Sequence, residues 1–346
     1  MTSRISQQDL QHVFDHTREL WEELRGQRIF VTGGTGFFGC WLLETFAFVN
    51  ERLRLNARLT VLTRDTNAFR RKSPHLADNP AIELIKGDVK NFAFPADKFS
   101  HLIHAAATSS APVPPLEMLE TIITGTRRAL DFAVGCGAKK FLLISSGAVY
   151  GRQPSDMTHI SENYDGAPAA ADPNSAYGEG KRAAELLCAI YSRQHGFETK
   201  IARCFAFVGP HLPLNAHFAI GNFIRDALAQ KPVCVKSDGT PYRSYLYAAD
   251  LAIWLWTILF KASGCCPYNV GSSKDGTIRH FAETVAASVN PRVPVLQMMK
   301  TDASQPPSRY VPSTLKVRTE LGLHETVDLR EAIRRTLLWH EQYTSD

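Results

Sequence analysis

The feature that most constrains the fold is a glycine-rich turn placed between a strand and a helix. Residues 32–39 read T-G-G-T-G-F-F-G, after the apolar strand Arg28–Thr32 and before a helix predicted over Trp41–Asn50. The glycines at positions 33, 36 and 39 allow a tight turn and a close approach of the backbone to a ligand. The helix N-terminus adds unpaired N–H groups and the positive end of the helix dipole. The turn is therefore predicted to bind the pyrophosphate of a dinucleotide, through Gly33, Thr35, Gly36, Phe37, Phe38 and Gly39.

Short apolar strands alternate with helices along the first part of the chain. After the first strand, further strands are predicted at Leu59–Thr63, Ile82–Lys86, His101–Ala106, Phe141–Ser146 and Glu198–Arg203. Helices are predicted at Trp41–Asn50, Thr121–Gly135 and Ala176–His195. This alternation is typical of a parallel sheet covered by helices on both faces. We predict an α/β fold, a doubly wound parallel (Rossmann) sheet with a smaller C-terminal substrate-binding domain.

The domain division follows from where the alternation ends. Beyond Gly209, prolines punctuate shorter elements. We predict a Rossmann domain from residues 28–205 plus about 243–275, and a substrate-binding domain from residues 206–242 plus about 276–346. Residues 1–27 are predicted to form an amphipathic helix with Ser6 as its cap. Its apolar face fits packing against its own domain, and a dimer contact is the alternative.

Composition excludes several classes of protein. Hydrophobic residues make up 44% and charged residues 21% of the chain, which excludes a disordered or collagen-like protein. The 39 Lys and Arg against 34 Asp and Glu leave a net charge of +5, spread along the chain, and we predict no nucleic-acid partner. Seven cysteines without C-x-x-C pairs predict reduced thiols and no metal site. The polar N-terminus and a longest apolar run of only ten residues, Leu251–Phe260, predict a cytoplasmic protein without a membrane span.

The end of the second strand bears on which dinucleotide is bound. Thr63 stands where an NAD-binding protein would carry Asp, and Arg64 follows it directly. A guanidinium here can pair with a 2′-phosphate, and the basic residues 70–72 lie close behind. We therefore predict NADP as the cofactor. The alternative is that Arg64 is solvated and Asp65 binds the ribose of NAD.

Two later strand ends complete the predicted cofactor site. Asp88 and Val89 follow the third strand and are placed to meet the adenine. Ala105, Ala106 and Ala107 lie at the end of the fourth strand. Their small side chains would let the cofactor lie flat at the carboxyl edge of the sheet.

A tyrosine, a lysine and a serine form the predicted catalytic group. Tyr177 and Lys181 lie four residues apart, on one face of a helix. A phenol near pKa 10 is a poor base at neutral pH, but a nearby ammonium stabilises the phenolate and makes proton exchange with an alcohol feasible. Ser146 ends the fifth strand, so its hydroxyl faces the ligand crevice of an open α/β sheet.

The motifs occur together in a recognisable order. The turn at 32–39, the strand end S-S-G-A-V-Y-G and the Y-x-x-x-K pair are followed by R-C-F-A-F-V-G-P, R-S-Y-L-Y-A-A-D and Y-N-V-G. In this combination the chain, over about residues 26–340, resembles the extended short-chain dehydrogenase/reductases of the NAD(P)-dependent nucleotide-sugar epimerase/dehydratase family. The resemblance implies that Tyr177 exchanges the proton of a sugar hydroxyl while the nicotinamide exchanges hydride with the same carbon. Lys181 would tune Tyr177 and bind the nicotinamide ribose, and Ser146 would hydrogen-bond the sugar oxygen.

The same resemblance implies the substrate and the oligomeric state. Arg243 would pair with the diphosphate of a nucleoside-diphosphate sugar, because a planar guanidinium suits phosphate oxygens. Asn222 and Arg309 are further candidates for this role, and a salt bridge between domains is the alternative role for Arg243. Family members usually dimerise through helices, here Thr121–Gly135 and Ala176–His195, so a homodimer is expected.

Departures from the family pattern narrow the reaction. The family's 4,6-dehydratases carry Asp and Glu directly after the hydroxyl residue, and its decarboxylases also keep a Glu there. This chain has Gly147 and Ala148, which have no proton to move. Glu179 or His159 could substitute only if the fold brings one of them close. Two other polar family positions are Ala206 and Ile122 here, which leaves the identity of the sugar open.

These observations lead to one main prediction and two alternatives. The main prediction is reversible oxidoreduction at C4 of a nucleoside-diphosphate sugar, by a 4-epimerase or a 4-ketoreductase. The enzymatic alternative is a 4,6-dehydratase with atypical acid and base residues. An alternative of another class is a non-catalytic NADP-binding sensor, against which the intact Ser146, Tyr177 and Lys181 argue.

Overall fold

The fold is built on strands that the apolar segments of the chain form in order. The structure is a computed structural model that describes residues 4–106, 113–300 and 306–343. The strands are β1 (Arg28–Thr32), β2 (Arg58–Thr63), β3 (Ile82–Lys86), β4 (His101–His104), β5 (Lys140–Ser146), β6 (Glu198–Cys204), β7 (Phe207–Val208), β8 (Val233–Val235), β9 (Tyr242–Arg243), β10 (Leu246–Tyr247), β11 (Pro267–Val270), β12 (Gly276–Thr277), β13 (Val295–Gln297) and β14 (Arg309–Tyr310).

Seven of these strands form one parallel sheet. Their order is β11-β6-β5-β4-β1-β2-β3, and every neighbouring pair is parallel. The chain leaves β1 in one direction toward β2 and returns on its other side at β4. In an open α/β sheet, ligands bind at the carboxyl ends of the strands where the order reverses in this way. The predicted doubly wound parallel sheet is therefore confirmed, with its crevice above β1 and β4.

Helices cover both faces of this sheet, as expected for strands buried on both sides. They are α1 (Gln7–Thr17), α2 (Phe37–Leu53), α3 (Thr66–Lys72), α4 (Pro74–Ala77), α5 (Pro115–Cys136), α6 (Ala176–His195), α7 (Ala219–Leu228), α8 (Ala248–Lys261), α9 (Ile278–Ala286), α10 (Leu315–Leu321) and α11 (Leu329–Tyr343). Helices α5 and α6 pack together on one face, and α1, α2 and α8 lie on the other. Helix α2 is longer than predicted, because it begins directly after Gly36 and ends where Arg54 turns left-handed.

The N-terminal segment packs against its own domain, which is the role that the sequence favours over a dimer contact. Ser6 caps α1 by accepting a hydrogen bond from the Asp9 backbone N–H at 3.1 Å. The prediction of one continuous helix is wrong: the α-helix ends at Thr17, and residues 18–24 are a 3-10 helix. The tighter winding still buries Trp21, whose ring centroid lies 4.6 Å from that of Trp256 in α8.

Three small sheets are formed by the remaining strands. One has the order β12-β9-β14, and the others pair β7 with β10 and β8 with β13. Arg243 belongs to the first of these sheets, so the chain returns to the main sheet only after it, through α8 and β11. Where one domain ends and the other begins stays a prediction.

The longest apolar run of the sequence is an internal helix. Residues 248–260 of α8 are all buried between the main sheet and the N-terminal segment. Within the described ranges, no helix has the length and apolarity needed to cross a bilayer. Those same ranges contain no cluster of three or more His, Cys, Asp and Glu side chains placed to hold a metal ion.

Candidate active site

The glycine turn is closely packed at Gly33 and Gly39 but open at Gly36, an arrangement that suits the pyrophosphate of a dinucleotide. Gly33 has a φ of 72°, and a Cβ there would lie 2.5 Å from the backbone carbonyl carbon of Ala105, so any side chain would separate β1 from β4. A Cβ on Gly39 would lie 2.3 Å from the Gly34 backbone, which holds α2 close to the turn. Gly36 is open, with only the Gly33 carbonyl oxygen near its Cβ direction, at 3.6 Å. An anion can therefore approach the backbone at Gly36, where α2 begins without a side-chain cap.

The remaining turn residues connect this loop to its surroundings. The Thr35 carbonyl accepts a hydrogen bond from Lys72 Nζ at 3.1 Å, which brings a cation of α3 against the turn. Phe38 packs edge-on against Phe207 of β7, with ring centroids 5.0 Å apart, and Phe37 packs against Phe38. The turn is thus fixed on both sides.

At the end of β2 the two candidate ribose ligands, Arg64 and Asp65, differ in their contacts with the rest of the protein. Arg64 is exposed just after the strand. Asp65 caps α3, with its Oδ1 accepting a hydrogen bond from the Ala68 backbone N–H at 2.9 Å. This bond lowers the pKa of Asp65 and gives the carboxylate a structural function. Of the two side chains, Arg64 is therefore the more available to bind a ligand.

The other predicted cofactor residues line the carboxyl edge of the sheet. Asp88 accepts a hydrogen bond from the Lys90 backbone N–H at 2.9 Å. Val89 is buried against α5. Ala105 and Ala106 are half-buried after β4 and donate backbone hydrogen bonds to the carbonyl and the hydroxyl of Thr32, at the end of β1. Ala107 lies outside the described residues.

Ser146, Tyr177 and Lys181 converge between β5 and α6. Ser146 ends β5, and its Oγ accepts a hydrogen bond from the Ala148 backbone N–H at 3.1 Å, which begins the 3-10 turn Gly147–Tyr150. Burial raises the pKa of Tyr177 to about 12, and interaction with the Ser146 hydroxyl offsets part of this rise. The three predicted side chains thus meet at the carboxyl end of β5.

Lys181 is a buried cation in this group. Its Nζ donates to the Ile144 carbonyl at 2.7 Å and lies 5.9 Å from the centroid of the Tyr177 ring. Burial lowers the pKa of Lys181 to about 8, and Cys204 and Glu185 offset part of the effect. Ile122 is buried and packs against Gly180, the residue before this lysine.

Arg243 is the predicted diphosphate ligand that the structure leaves most available. It lies on β9, and its Nη1 donates to the Tyr242 carbonyl at 2.7 Å. Burial lowers its pKa, and no carboxylate in the described part of the chain forms an ion pair with it. A half-buried guanidinium without a carboxylate partner is suited to an anionic ligand.

Arg309 and Asn222 are engaged elsewhere. Arg309 Nη1 lies 2.8 Å from Asp275 Oδ2, and its guanidinium stacks on the Tyr242 ring at 3.9 Å. Because successive residues of a strand point to opposite faces, Arg309 lies on the face of the small sheet opposite Arg243. Asn222 Oδ1 accepts a hydrogen bond from Arg225 on its own helix, at 3.0 Å. The geometry favours Arg243 over both.

Comparison with known proteins shows the family to which the chain belongs. A sequence model of the NAD dependent epimerase/dehydratase family matches residues 29–271. The chain belongs to this family. It is 32% identical to UDP-glucuronic acid decarboxylase 6 of Arabidopsis thaliana over 311 residues, which are 88% of this chain and 86% of that protein.

Two solved structures share the fold of this chain. A UDP-glucose 4-epimerase from Thermotoga maritima, in complex with UDP-glucose, superposes with a TM-score of 0.76 at 20% identity and covers 92% of this chain and 100% of that one. The Bordetella bronchiseptica enzyme WbmF, in complex with NAD⁺, has a TM-score of 0.73 at 20% identity and covers 93% of this chain and 95% of that one. At this identity the likeness shows the fold.

The first of the two positions at which this chain lacks acid and base side chains, Gly147, is packed by an aromatic ring. A Cβ on Gly147 would lie 2.7 Å from ring atoms of Phe205, a residue that the sequence analysis did not select. The two proposed substitutes are held by other partners: Glu179 lies 3.7 Å from Arg182, and His159 Nε2 contacts the Ser273 carbonyl at 2.9 Å. Neither contact belongs to the catalytic group.

Two further residues near the site, His104 and Tyr310, are not predicted from the sequence. His104 ends β4, and its two ring nitrogens contact the hydroxyls of Thr32 and Thr126 at 2.8 and 3.1 Å. Burial lowers the pKa of His104 to about 3, so it is a neutral link beneath the cofactor crevice. Tyr310 of β14 lies opposite Arg243 and packs against Phe205, with ring centroids 4.7 Å apart. No motif marks Tyr310, because a two-residue strand carries no periodic signal.

Proposed function

We propose that the protein catalyses NAD(P)-dependent oxidoreduction at C4 of a nucleoside-diphosphate sugar, as a 4-epimerase or a 4-ketoreductase. The observation that carries this proposal is the packing of Phe205 against Gly147 beside an intact Ser146, Tyr177 and Lys181. Exchange of a hydride and a proton at one carbon needs only Ser146, Tyr177 and Lys181. Elimination of water would need a further acid and base where this chain has Gly147 and Ala148.

Proton transfer is assigned to Tyr177. Its phenol would exchange a proton with the sugar hydroxyl, and the Ser146 hydroxyl would hold the sugar oxygen. The ammonium of Lys181 favours the phenolate of Tyr177 when that proton is lost. Since the pKa of Tyr177 is raised to about 12, chiefly by burial, the positive charge of an oxidised nicotinamide would help to lower it toward neutral pH. The nicotinamide, when bound, supplies the hydride acceptor or donor.

NADP is the proposed cofactor, with NAD as the alternative. The support is the exposed Arg64 at the end of β2, next to an Asp65 that caps α3. Gly33, Gly36 and Gly39, with the start of α2, would hold the pyrophosphate, and Ala105 and Ala106 the ring system.

A specific observation favours a second candidate function, decarboxylation. The decarboxylase from Arabidopsis covers nearly the whole chain at 32% identity. Oxidation at C4 of a sugar with a carboxylate on C5 places that carboxylate β to a ketone. The bond between C5 and the carboxylate carbon can then break with its electrons passing to the ketone, after which C5 takes up a proton. Loss of carbon dioxide needs no base at positions 147 and 148.

One experiment separates these candidates. The purified protein is denatured, the released dinucleotide is identified by mass spectrometry, and UDP-glucose and UDP-glucuronic acid are then each incubated with protein plus NAD⁺ or NADP⁺. Inversion at C4 observed by NMR supports the epimerase, and loss of C6 with release of carbon dioxide supports the decarboxylase. Empty protein whose melting temperature rises more with NADPH than with NADH supports the ketoreductase. No dinucleotide and no shift in melting temperature with any of the four forms would reject the whole proposal.

The Tyr177→Phe variant separates an enzyme from a sensor. Removing the phenol should lower turnover by at least about a hundredfold while dinucleotide binding is retained, since a positioned acid–base group contributes about 10² to 10⁴. A non-catalytic NADP-binding sensor would keep its biological activity in this variant.

We also propose a homodimer that forms through α5 and α6. These helices pack together, yet α6 exposes Leu186 and Ile190, which lie one turn apart and are 62% and 39% exposed. Val134 of α5 is also partly exposed. Leu186→Glu should convert the dimer to a monomer in light scattering, and a wild type that is already monomeric would contradict this proposal.

A further inference from the structure

Three motif residues that the catalytic group does not use meet in one buried polar network. They are Tyr150 of S-S-G-A-V-Y-G, Arg203 of R-C-F-A-F-V-G-P and Asn269 of Y-N-V-G. The Arg203 guanidinium stacks on the Tyr150 ring at 4.7 Å, and the Tyr150 hydroxyl donates to Asn269 Oδ1 at 2.8 Å. Arg203 also binds the carboxylate of Glu185 on α6. The network therefore reaches the helix that carries Tyr177.

Glu185 meets a row of polar side chains that crosses three neighbouring strands. In the register of the main sheet, Ser145 of β5 pairs with Arg203 of β6, which in turn pairs with Asn269 of β11. Side chains at paired positions of neighbouring strands point to the same face. The Ser145 hydroxyl donates to Glu185 Oε1 at 2.5 Å, and Arg203 Nη2 donates to Glu185 Oε2 at 2.7 Å. One carboxylate of α6 thus bridges β5 and β6.

Glu185 gives α6 a second attachment to the strand that ends at the catalytic serine. Tyr177, Lys181 and Glu185 recur every four residues, so they lie on one face of α6. Lys181 Nζ donates to the Ile144 carbonyl at 2.7 Å, and Glu185 accepts from Ser145, the next residue of β5. Two successive turns of α6 are therefore fixed to two successive residues of β5.

The ion pair between Glu185 and Arg203 is largely buried, with side chains 11% and 15% exposed. Desolvation of two charges cancels much of the attraction between them, so apolar residues of similar volume are often at least as stable. Removing only one partner leaves an uncompensated charge and is much more harmful. Stability therefore does not account for this pair, whereas the position in which it holds α6 does.

The place of Tyr177 depends on the direction of α6. Lys181 and Glu185 are four residues apart, about 6 Å along the helix axis, and Tyr177 lies the same distance on the other side of Lys181. If Lys181 were the only attachment, a pivot of α6 by about 10° would move the Tyr177 backbone by about 1 Å. A displacement of about 1 Å at a reacting group can lower the rate about a hundredfold. The second attachment, at Glu185, opposes this pivot.

We propose that Glu185 is a positioning residue of the catalytic centre, whose contacts with β5 and β6 fix the direction of α6 and so hold Tyr177 and Lys181 in place. This inference rests on the proposed function, since it assigns a role in the same exchange of hydride and proton. Glu185 acts through the two residues that precede it on the helix face, and it takes no part in the proton exchange itself.

An apolar replacement of the contacts around Glu185 tests this role. In the triple variant Ser145→Ala, Glu185→Leu and Arg203→Met, no charge is left unpaired, so the melting temperature should stay within about 5 °C of the wild type. The substrate is whichever of UDP-glucose and UDP-glucuronic acid the wild type converts with NAD⁺ or NADP⁺. The triple variant should lower kcat about a hundredfold and leave KM and the dinucleotide affinity unchanged. A residue with only a structural role would not separate kcat from stability in this way.

A conservative variant should rescue the rate. Glu185→Gln with Arg203→Met keeps an oxygen that can accept the hydrogen bond from Ser145, and it leaves no charge unpaired. Because the second attachment to β5 is retained, this variant should be at least about ten times faster than the triple variant. Equal rates of the two variants would contradict a role for the contact with Ser145.

The matched control is a second buried carboxylate with the same kinds of partner. Asp9 accepts a hydrogen bond from the Tyr247 hydroxyl at 2.8 Å and pairs with Arg335 at 2.6 Å, and it joins α1, β10 and α11. Asp9→Leu, Tyr247→Phe and Arg335→Met together remove a carboxylate, a hydroxyl and a guanidinium from elements that carry no catalytic residue. This control should leave kcat unchanged.

Two results would overturn the proposal. One is a triple variant that folds and is as fast as the wild type, and the other is an equal loss of kcat in the control. If the triple variant does not fold, Ser145→Ala alone decides the question, because it keeps the ion pair and removes one attachment to β5. It should lower kcat at least about threefold, and an unchanged kcat would again overturn the proposal.

A second measurement needs no substrate. In protein with carbon-13-labelled tyrosine rings, the Cζ resonance of Tyr177, identified by its loss in Tyr177→Phe, should shift in the triple variant and stay in place in the control. A wild type that binds no dinucleotide and converts neither sugar would reject the proposed function. In that case a shifted resonance would still support the positioning of Tyr177 by Glu185, and an unshifted one would reject it.

Discussion

Lys181 Nζ donates a hydrogen bond to the backbone carbonyl of Ile144 at 2.7 Å, which fastens α6 to β5 through a buried cation. Strand β5 ends at Ser146, two residues after this carbonyl, so the bond sets the distance between the serine and the helix that carries Tyr177. The same bond keeps a charge inside the protein, where its desolvation costs folding free energy. Function and stability therefore oppose each other at this residue.

The first prediction concerns Lys181→Met. Because burial lowers the pKa of Lys181 from 10.5 to about 8, the unfolded chain binds more protons than the folded one between these values, and stability rises with pH across that window. Below pH 8 the full cost of burying the charged lysine is present, on the order of 3 kcal/mol of folding free energy. Removing the cation should thus raise the free energy of unfolding at pH 7 by about 1–2 kcal/mol, after about 1 kcal/mol is lost with the bond to Ile144.

Urea denaturation at pH 7 and at pH 10 checks this prediction. The stabilisation should shrink at the higher pH, where the wild-type lysine has lost its charge, and turnover of the variant should fall by about a hundredfold or more. Equal destabilisation at both pH values would show that the charge is not the cause.

The second prediction contrasts two glycines of the cofactor turn. Gly36→Ala should fold as the wild type does, because Gly36 has a φ of −83° and open space around its Cβ direction. Its methyl group would stand where the pyrophosphate approaches, so dinucleotide affinity should fall at least about tenfold. Gly33→Ala should instead destabilise the fold by about 3 kcal/mol or more, through a left-handed φ and contact with Ala105. Thermal melting and calorimetric titration distinguish the two effects, and equal losses of stability would contradict the assignment.

The structure also shows why some of these features were predictable. The turn at residues 33–39 and the residues Ser146 and Tyr177 lie at the ends of long, regular elements, whose apolar pattern places them at one edge of the sheet. Tyr310 and Phe205 reach the same place through a two-residue strand and a segment between strands, where no periodicity exists. Their contact depends on packing between segments about a hundred residues apart in sequence, and local patterns carry no information about that. The sequence also does not distinguish the 3-10 helix of residues 18–24 from an α-helix, because Trp21 is buried in either helix type.

The third prediction tests the preference for NADP. Arg64→Ala should weaken NADP⁺ binding about tenfold, roughly the worth of one hydrogen bond to a charged group, and leave NAD⁺ affinity nearly unchanged. Arg70→Ala is the matched control, because Arg70 carries the same charge on the neighbouring helix but lies 3.4 Å from Asp78. Calorimetric titration with both dinucleotides measures the two affinities. An equal loss for NAD⁺ and NADP⁺ would show that Arg64 does not read the 2′-phosphate.

The fourth prediction concerns the ring packed at the missing acid position. Gly147→Asp should destabilise the protein by about 1–3 kcal/mol, because its Cβ would lie 2.7 Å from the Phe205 ring and the site would have to repack. Adding Phe205→Ala should remove the clash and restore part of the lost stability, so the two changes should be non-additive in thermal melting. Phe38→Ala is a control that removes an aromatic ring elsewhere in the site, and it should give no such rescue.

The same variants report on the reaction. If the packing of Phe205 is what excludes an acid from the centre, the combination Gly147→Asp, Ala148→Glu and Phe205→Ala should form detectable 4-keto-6-deoxy product from a nucleotide sugar with a C6 hydroxyl. Gly147→Asp with Ala148→Glu alone should form less, since the carboxylates would be displaced by the ring. Elimination by the wild type at a rate comparable to that of the triple variant would contradict both this prediction and the proposed function.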